Sequence, residues 1–260
     1  MQLTLTQRRA LVTGASQGLG LAMSLRFAEA GADLALVARR ADVLEHAREQ
    51  VMARARGGAR VVAIAGDVST AEGCAAIAAA ADEALGGVDV LVNNAGSSCT
   101  GPFESHDDEV WQQDIDLKLF AAVRLCRAFM PGMRERRWGR VINVLNTFAK
   151  APAAGTAPTS VTRAAGMALT KALSAEYAQH NVLVNALLVG LIESDQWVRR
   201  AAREGRSLES LQTELARRIP LGRIGTAEEF ANMACLLASD QGGYITGTAI
   251  NVDGGMCAVV

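Results

Sequence analysis

Aromatic residues make up only 4% of this 260-residue chain, and proline occurs just 5 times. The core must therefore be built from aliphatic side chains, and no proline-rich or low-complexity linker divides the chain. Cysteines stand only at 74, 99, 126, 235 and 257, an odd number without C-x-x-C spacing. That pattern excludes a disulfide framework and a zinc site and points to a reducing compartment. The histidines, His46, His106 and His180, are too scattered to form a ligand cluster, so no metal site is expected. Charge of either sign is not in excess. The formal net charge of −1 gives no general attraction to nucleic acid or acidic membranes. The local cluster Arg134, Arg136, Arg137 and Arg140 reads as a solvated helix end. No signal-peptide pattern opens the sequence. The longest apolar run, Val182 to Ile192, contains Asn185 and is too short to span a bilayer. The expectation is a soluble, cytoplasmic protein with no nucleic-acid or membrane partner.

Half of the residues are apolar and a fifth are charged, which suits a sheet buried on both faces. Short β-branched runs occur at Ala10–Thr13, Leu34–Ala38, Val61–Ala65, Val88–Asn93, Arg140–Val144, Val182–Leu188 and Ala249–Val252. They are continuously apolar, as parallel strands covered on both sides should be. Helical patterns lie between them at Gly18–Ala30, Ala41–Arg56, Ala71–Leu85, Asp107–Met130, Ser160–Gln179 and Ala227–Ala238. The predicted fold is α/β: one domain over residues 1–260, doubly wound and Rossmann-like, with a seven-stranded parallel sheet and helices on both faces. Asp107 and Asp108 mark an acidic helix start, and Pro131-Gly132 a kink or stop. Residues 190–226 break the rhythm as a polar, arginine-rich insertion, expected to form a flap over a substrate.

The first strand runs into Thr13-Gly14-Ala15-Ser16-Gln17-Gly18-Leu19-Gly20, which opens the first helix. Glycines allow a tight turn and close approach to a pyrophosphate, while the helix start offers unpaired N–H groups. Asp67-Val68 follows the third strand and Asn93-Asn94-Ala95-Gly96 the fourth. Later come Ile219-Pro220-Leu221-Gly222-Arg223, Leu236–Asp240 and Val252-Asp253-Gly254-Gly255. From Arg9 to Gly255 this order and spacing resembles the short-chain dehydrogenase/reductase family, in its form of about 250 residues. The resemblance implies a nicotinamide dinucleotide held by Gly14, Ser16, Gln17, Gly18, Leu19 and Gly20. Asp67 and Val68 would contact adenine, and Asn94, Ala95 and Gly96 would line the ribose side. Gly190, Ile192 and Ser194 would border the carboxamide or pyrophosphate, with Val189 replacing a usual proline. The second strand ends Ala38-Arg39-Arg40. An acid at position 38 would bond the ribose diol of NAD, whereas alanine there and Arg39 nearby suit a 2′-phosphate. NADP(H) is thus the implied cofactor, ahead of NAD(H).

The resemblance also implies a catalytic Asn, Ser, Tyr and Lys, and here the chain departs from it. Asn146 stands at the serine position, Thr159 at the tyrosine and Arg163 at the lysine, and Asp116 is read at the asparagine position. Threonine lacks the acidity of a tuned phenol. Arginine keeps its charge and could hold ribose hydroxyls, but does not shuttle protons. Lys150, four residues beyond Asn146, is the substitute donor this reading favours over His106, Glu193 and Asp195. Tyr177 lies too far along the helix and reads as a packing residue. Arginine at the lysine position is also found in halohydrin dehalogenases, yet those keep the serine and tyrosine and lose the glycine pattern, the reverse of this chain.

Three functions follow. The first is an NADP(H)-dependent oxidoreductase acting on a carbonyl or alcohol by an atypical proton path. The second is a catalytically inert nucleotide-binding subunit, and the third a non-redox lyase or dehydratase. The partners implied are a small-molecule substrate and copies of the chain as a homodimer or homotetramer. A mixed oligomer with an active paralogue is the other possibility.

Overall fold

The computed structural model describes residues 3–260, apart from the side chains of Asp195, Gln196 and Arg199. Seven strands form one parallel sheet: β1 (Arg9–Thr13), β2 (Asp33–Ala38), β3 (Val61–Ala65), β4 (Val90–Asn93), β5 (Gly139–Asn146), β6 (Val182–Val189) and β7 (Ala249–Val252). Their order is β3-β2-β1-β4-β5-β6-β7. The chain winds outward in one direction from β1 and then in the other from β4. The carboxyl ends of these two neighbours therefore flank the crevice where such sheets bind ligands.

Right-handed crossovers need helices, and the alanine-rich segments supply them. On one face, α1 (Gly18–Glu29), α2 (Ala41–Arg54) and α9 (Ala227–Ala238) cover β1 and its neighbours. Met23, Phe27, Leu44 and Phe230 are sealed there against Val12, Leu36 and Val92. On the other face, α3 (Ala71–Leu85), α5 (Ala121–Glu135) and α6 (Thr159–Tyr177) close the second layer. Tyr177 packs against that layer, which fits its reading as a packing residue. Each large aliphatic or aromatic side chain so buried contributes roughly 1.5–3 kcal/mol.

Two features differ from the sequence expectation. Asp107 does cap a helix, accepting a bond from the Val110 N–H at 3.0 Å, but that helix, α4 (Asp108–Ile115), is short. A π turn over Asp116–Phe120 joins it to α5. The second difference is Pro131, which neither stops nor ends α5, since the helix continues to Glu135. Phe129, Met130 and Met133 are buried around the proline and hold the last turn on the sheet. The break lies fifteen residues earlier, at the carboxyl end of the sheet.

The insertion after β6 is built as two helices, α7 (Asp195–Arg203) and α8 (Leu208–Ala216). Ala201, Leu211, Leu215, Ile219 and Ile224 give it a small apolar core of its own. Among the described residues, no helix is long and apolar enough to cross a membrane, and no cluster of side chains could hold a metal ion.

Candidate active site

The turn between β1 and α1 is the tightest part of the crevice. Gly14 and Gly18 adopt φ of 66° and 56°, the left-handed region that favours glycine. A Cβ on Gly20 would collide with the Gly14 carbonyl oxygen. At the N-terminus of α1, Gln17 supplies no capping side chain and the first turn contains no acid. The helix start is therefore left with unpaired N–H groups and its positive dipole end, a setting for an anionic group. The side chain of Asn94 turns back onto the strand beside it. Its Nδ2 donates to the Thr13 carbonyl at 2.8 Å and braces the turn from β4. Thr13 Oγ1 in turn accepts from the N–H groups of Asn94 at 2.9 Å and Ala95 at 3.0 Å.

A cleft of about 540 Å³ runs along the carboxyl ends from Arg39 past Asp67 to Ser97, Cys99 and Asp114. Arg39 is exposed and makes no ion pair among the described residues. Asp67 Oδ1 accepts from the N–H and hydroxyl of Ser69 at 2.9 and 2.8 Å, which shapes the loop after β3 beside the buried Val68. On the opposite side, Gly190 lies so close to Asp253 that no Cβ fits. Ile192 is buried and paired with Gly225. Ser194 precedes α7 without a side-chain capping bond. Ser16 and Leu19 are half-buried, and Gln17 and Gly18 exposed, around the turn itself.

At the start of α6 the geometry is closed. Thr159 Oγ1 donates to the Cys99 carbonyl at 2.8 Å and accepts from the Cys99 N–H at 2.9 Å. It also accepts from Lys118 Nζ at 2.7 Å. One donor and two acceptor positions exhaust a hydroxyl, so Thr159 has nothing left to offer a substrate. Lys118 is buried and ion-paired with Asp114, whose other oxygen accepts from Thr162 Oγ1 at 2.7 Å. Burial pushes the Lys118 ammonium below its ordinary range against the pull of Asp114, and the charge of Arg163 lowers it further. Arg163 donates to the Val144 carbonyl at 2.8 Å and presses against Gly96. Burial lowers its guanidinium to about 10, where it stays protonated at neutral pH. The carbonyl oxygen of the Asn146 side chain is buried with no partner among the described residues.

A family model described as short chain dehydrogenase matches residues 8–205. The chain belongs to that family. It is similar to the NADPH-dependent reductase BacG of Bacillus subtilis, 32% identical over 255 residues that make up 96% of this chain and 98% of the relative. Among solved structures it resembles the L-sorbose reductase of Gluconobacter frateurii complexed with NADPH and L-sorbose. The TM-score there is 0.95 at 35% identity, covering 100% of both chains. It also resembles an NADPH-bound short chain oxidoreductase of Pseudomonas aeruginosa PAO1 containing an atypical catalytic center, with TM-score 0.92, 36% identity and 99% of each chain covered.

In this short-chain dehydrogenase two sequence expectations need correction. Asp116 lies at the cleft but not with Thr159. Its carboxylate accepts from Arg124 at 3.1 Å and Gln112 at 2.8 Å. The π turn, closed by the Ala121 N–H on the Asp116 carbonyl, changes the phase of the helix here and brings Lys118 inward instead. Lys150 does not reach the cluster either, because its ammonium donates to the Ala249 carbonyl on β7 at 2.6 Å. Glu193 is exposed, His106 packs over Gly101, and the side chain of Asp195 lies outside the described residues. Sequence reasoning missed Asp114, Lys118 and Thr162. The available signal was a charged pair at i, i+4 on the same helical stripe as Ala122, Leu125 and Phe129, a face that otherwise goes into the core.

Proposed function

We propose that this chain is an NADPH-dependent reductase of a small carbonyl compound, with a proton path that does not run through a tyrosine. The observation that carries this reading is the glycine cradle at Gly14 and Gly20 opening on an uncapped helix, with unpaired Arg39 at the end of β2. A Cβ would fill that cradle, so the residues present fit a dinucleotide pyrophosphate. Arg39 and Ser16 would hold the 2′-phosphate, and Arg163 and Gly96 the nicotinamide ribose side. When bound, NADPH supplies a hydride.

The chain's own residues do the rest. Arg163 fixes a positive charge beside Gly96, which favours oxygen that gains negative charge. Asn146 offers an unpartnered acceptor that a hydroxyl can satisfy. The 97–101 segment is tied to Thr159 through both backbone groups of Cys99, which fixes one wall of the cleft. The NADPH-bound relatives described above support both the cofactor and the reaction class. The test is NADPH oxidation against a panel of ketoses, aldehydes and 3-oxoacyl thioesters. Turnover with one of them supports the reading, and none across the panel counts against it.

A second reading, an inert nucleotide-binding subunit, is favoured by the saturated hydroxyl of Thr159. It requires NADPH binding without turnover, alone or mixed with an active paralogue. In either case we propose that an oligomer covers the exposed Phe120 and Val161 beside the cleft helices.

A further inference from the structure

We propose that Lys118 is the proton donor of this site, held in place by Asp114 and Thr159. The inference rests on the reductase reading above and deepens it. A reduced carbonyl oxygen needs a proton, and few groups around the start of α6 can give one. Thr159 is spent on Cys99 and Lys118. Arg163 does not yield its proton near neutral pH. Lys150 is bound to β7, and Tyr177 is packed in the lower core. No hydrogen bond joins His106 to the cluster among the described residues.

Lys118 has three N–H bonds. One goes to Asp114 and one to Thr159, and the third has no protein acceptor among the described residues. Its stem passes 3.7 Å from where a Cβ on Gly96 would stand, beside the Arg163 guanidinium. Lys118 therefore shares the Gly96 wall with the group assigned to the ribose side. Every charged or titratable group that faces it is accounted for: Asp114 from its own helix, Arg163 from α6 and Cys99 from the loop after β4. Two of these, burial aside, act in opposite senses. Asp114 holds the ammonium in position, and Arg163 makes its proton easier to lose.

In the step itself an N–H bond of Lys118 breaks and an O–H bond forms on the substrate oxygen. The electron pair stays on nitrogen, leaving a neutral amine that regains its proton from water admitted to the cleft when the product leaves. The carbonyl carbon is reduced by the two-electron hydride from NADPH, so the sum is carbonyl, NADPH and one proton going to alcohol and NADP⁺. Thr159 then has a defined part as a positioning residue that fixes the amine by accepting from it.

The chain has only three lysines, Lys118, Lys150 and Lys171, so lysine-selective labelling with ¹³C at Cε gives a spectrum simple enough to read. The Lys118 signal is identified by its loss in Lys118→Met. It is expected to titrate below the ordinary lysine range, because of burial, and saturating NADPH should shift it while leaving the other two signals in place. On the best substrate of the panel, Lys118→Met should lower turnover by about a hundredfold or more with NADPH affinity unchanged. Lys118→Arg keeps the charge but not a proton it can give up, so turnover should fall there as well. A Lys118 signal that titrates in the ordinary lysine range and ignores NADPH, in protein whose fluorescence shows NADPH bound, overturns the proposal. So does undiminished turnover in Lys118→Met. If NADPH does not bind at all, it is the nucleotide reading that fails.

Discussion

At the scale of single residues, one buried ion pair decides how this site is read. Asp114 and Lys118 are both sealed from solvent, and an ammonium is kept charged there only by its partner and hydrogen bonds. Replacing Asp114 by Asn removes the counter-charge. The loss should be about 3–5 kcal/mol in urea unfolding, and a change near zero would mean that Lys118 is not buried as described. Arg39 is the corresponding residue for cofactor choice. Arg39→Asp puts a negative charge where the 2′-phosphate is assigned, so NADPH affinity should fall by about tenfold or more, corresponding to roughly 1.4 kcal/mol, while NADH is spared. Calorimetric titration of both nucleotides checks it. Arg39 could be singled out in the sequence because it follows a strand directly, next to Ala38 where an acid would bond the ribose diol of NAD. Lys118 was not. A lysine in a helix is usually solvated, and that expectation hid its place beside Asp114 on the inward stripe.

At the scale of elements, the strand and helix rhythm could be read almost residue for residue. All seven strands lie where apolar runs were found, and α3 and α9 have their expected ends. Continuous β-branched stretches leave few alternatives to a doubly covered parallel sheet. The long helix was less legible, since Pro131 looked like its weak point and the interruption came at Asp116–Phe120. Tertiary burial of Met130 and Met133 outweighs the proline, whereas the π turn serves the carboxyl end of the sheet. The α7 and α8 pair was read only as a polar insertion because its apolar positions are few and close on one another. The turn between β1 and α1 gives the sharpest prediction at this scale. Gly20→Ala places a methyl group against the Gly14 carbonyl. Overpacking of this kind costs about 1–3 kcal/mol, and displacement of the turn should cut NADPH binding by at least about tenfold. Unchanged nucleotide affinity in that variant would remove the cradle from the account.

At the scale of the whole molecule, a charge cluster at the amino end of the sheet lies apart from the cleft at its carboxyl end. At the amino end, Asp89 accepts from Arg9 Nε at 2.8 Å and from Arg136 Nε at 3.1 Å, joining β1, β4 and the end of α5. Burial alone would raise the Asp89 carboxyl. Its hydrogen bonds from Arg9 and the charges of Arg9 and Arg136 override that and hold it below the usual range. The unfolded chain therefore binds more protons than the folded one as the pH drops. The stabilisation is present above the ordinary carboxyl value near about 4 and is lost as pH falls through the lowered one. Asp89→Asn should destabilise the fold by on the order of 3 kcal/mol at neutral pH and flatten its acid dependence, with NADPH binding untouched. A matching loss of nucleotide affinity would contradict this division of the sheet. The claim beneath all of this is that the crevice between β1 and β4 holds NADPH. Its most direct test is fluorescence titration of the purified chain with NADPH and, in parallel, NADH. The account expects a saturable NADPH complex and NADH binding at least about tenfold weaker. No complex at ligand concentrations of about 1 mM, the weak end of meaningful affinity, would contradict it.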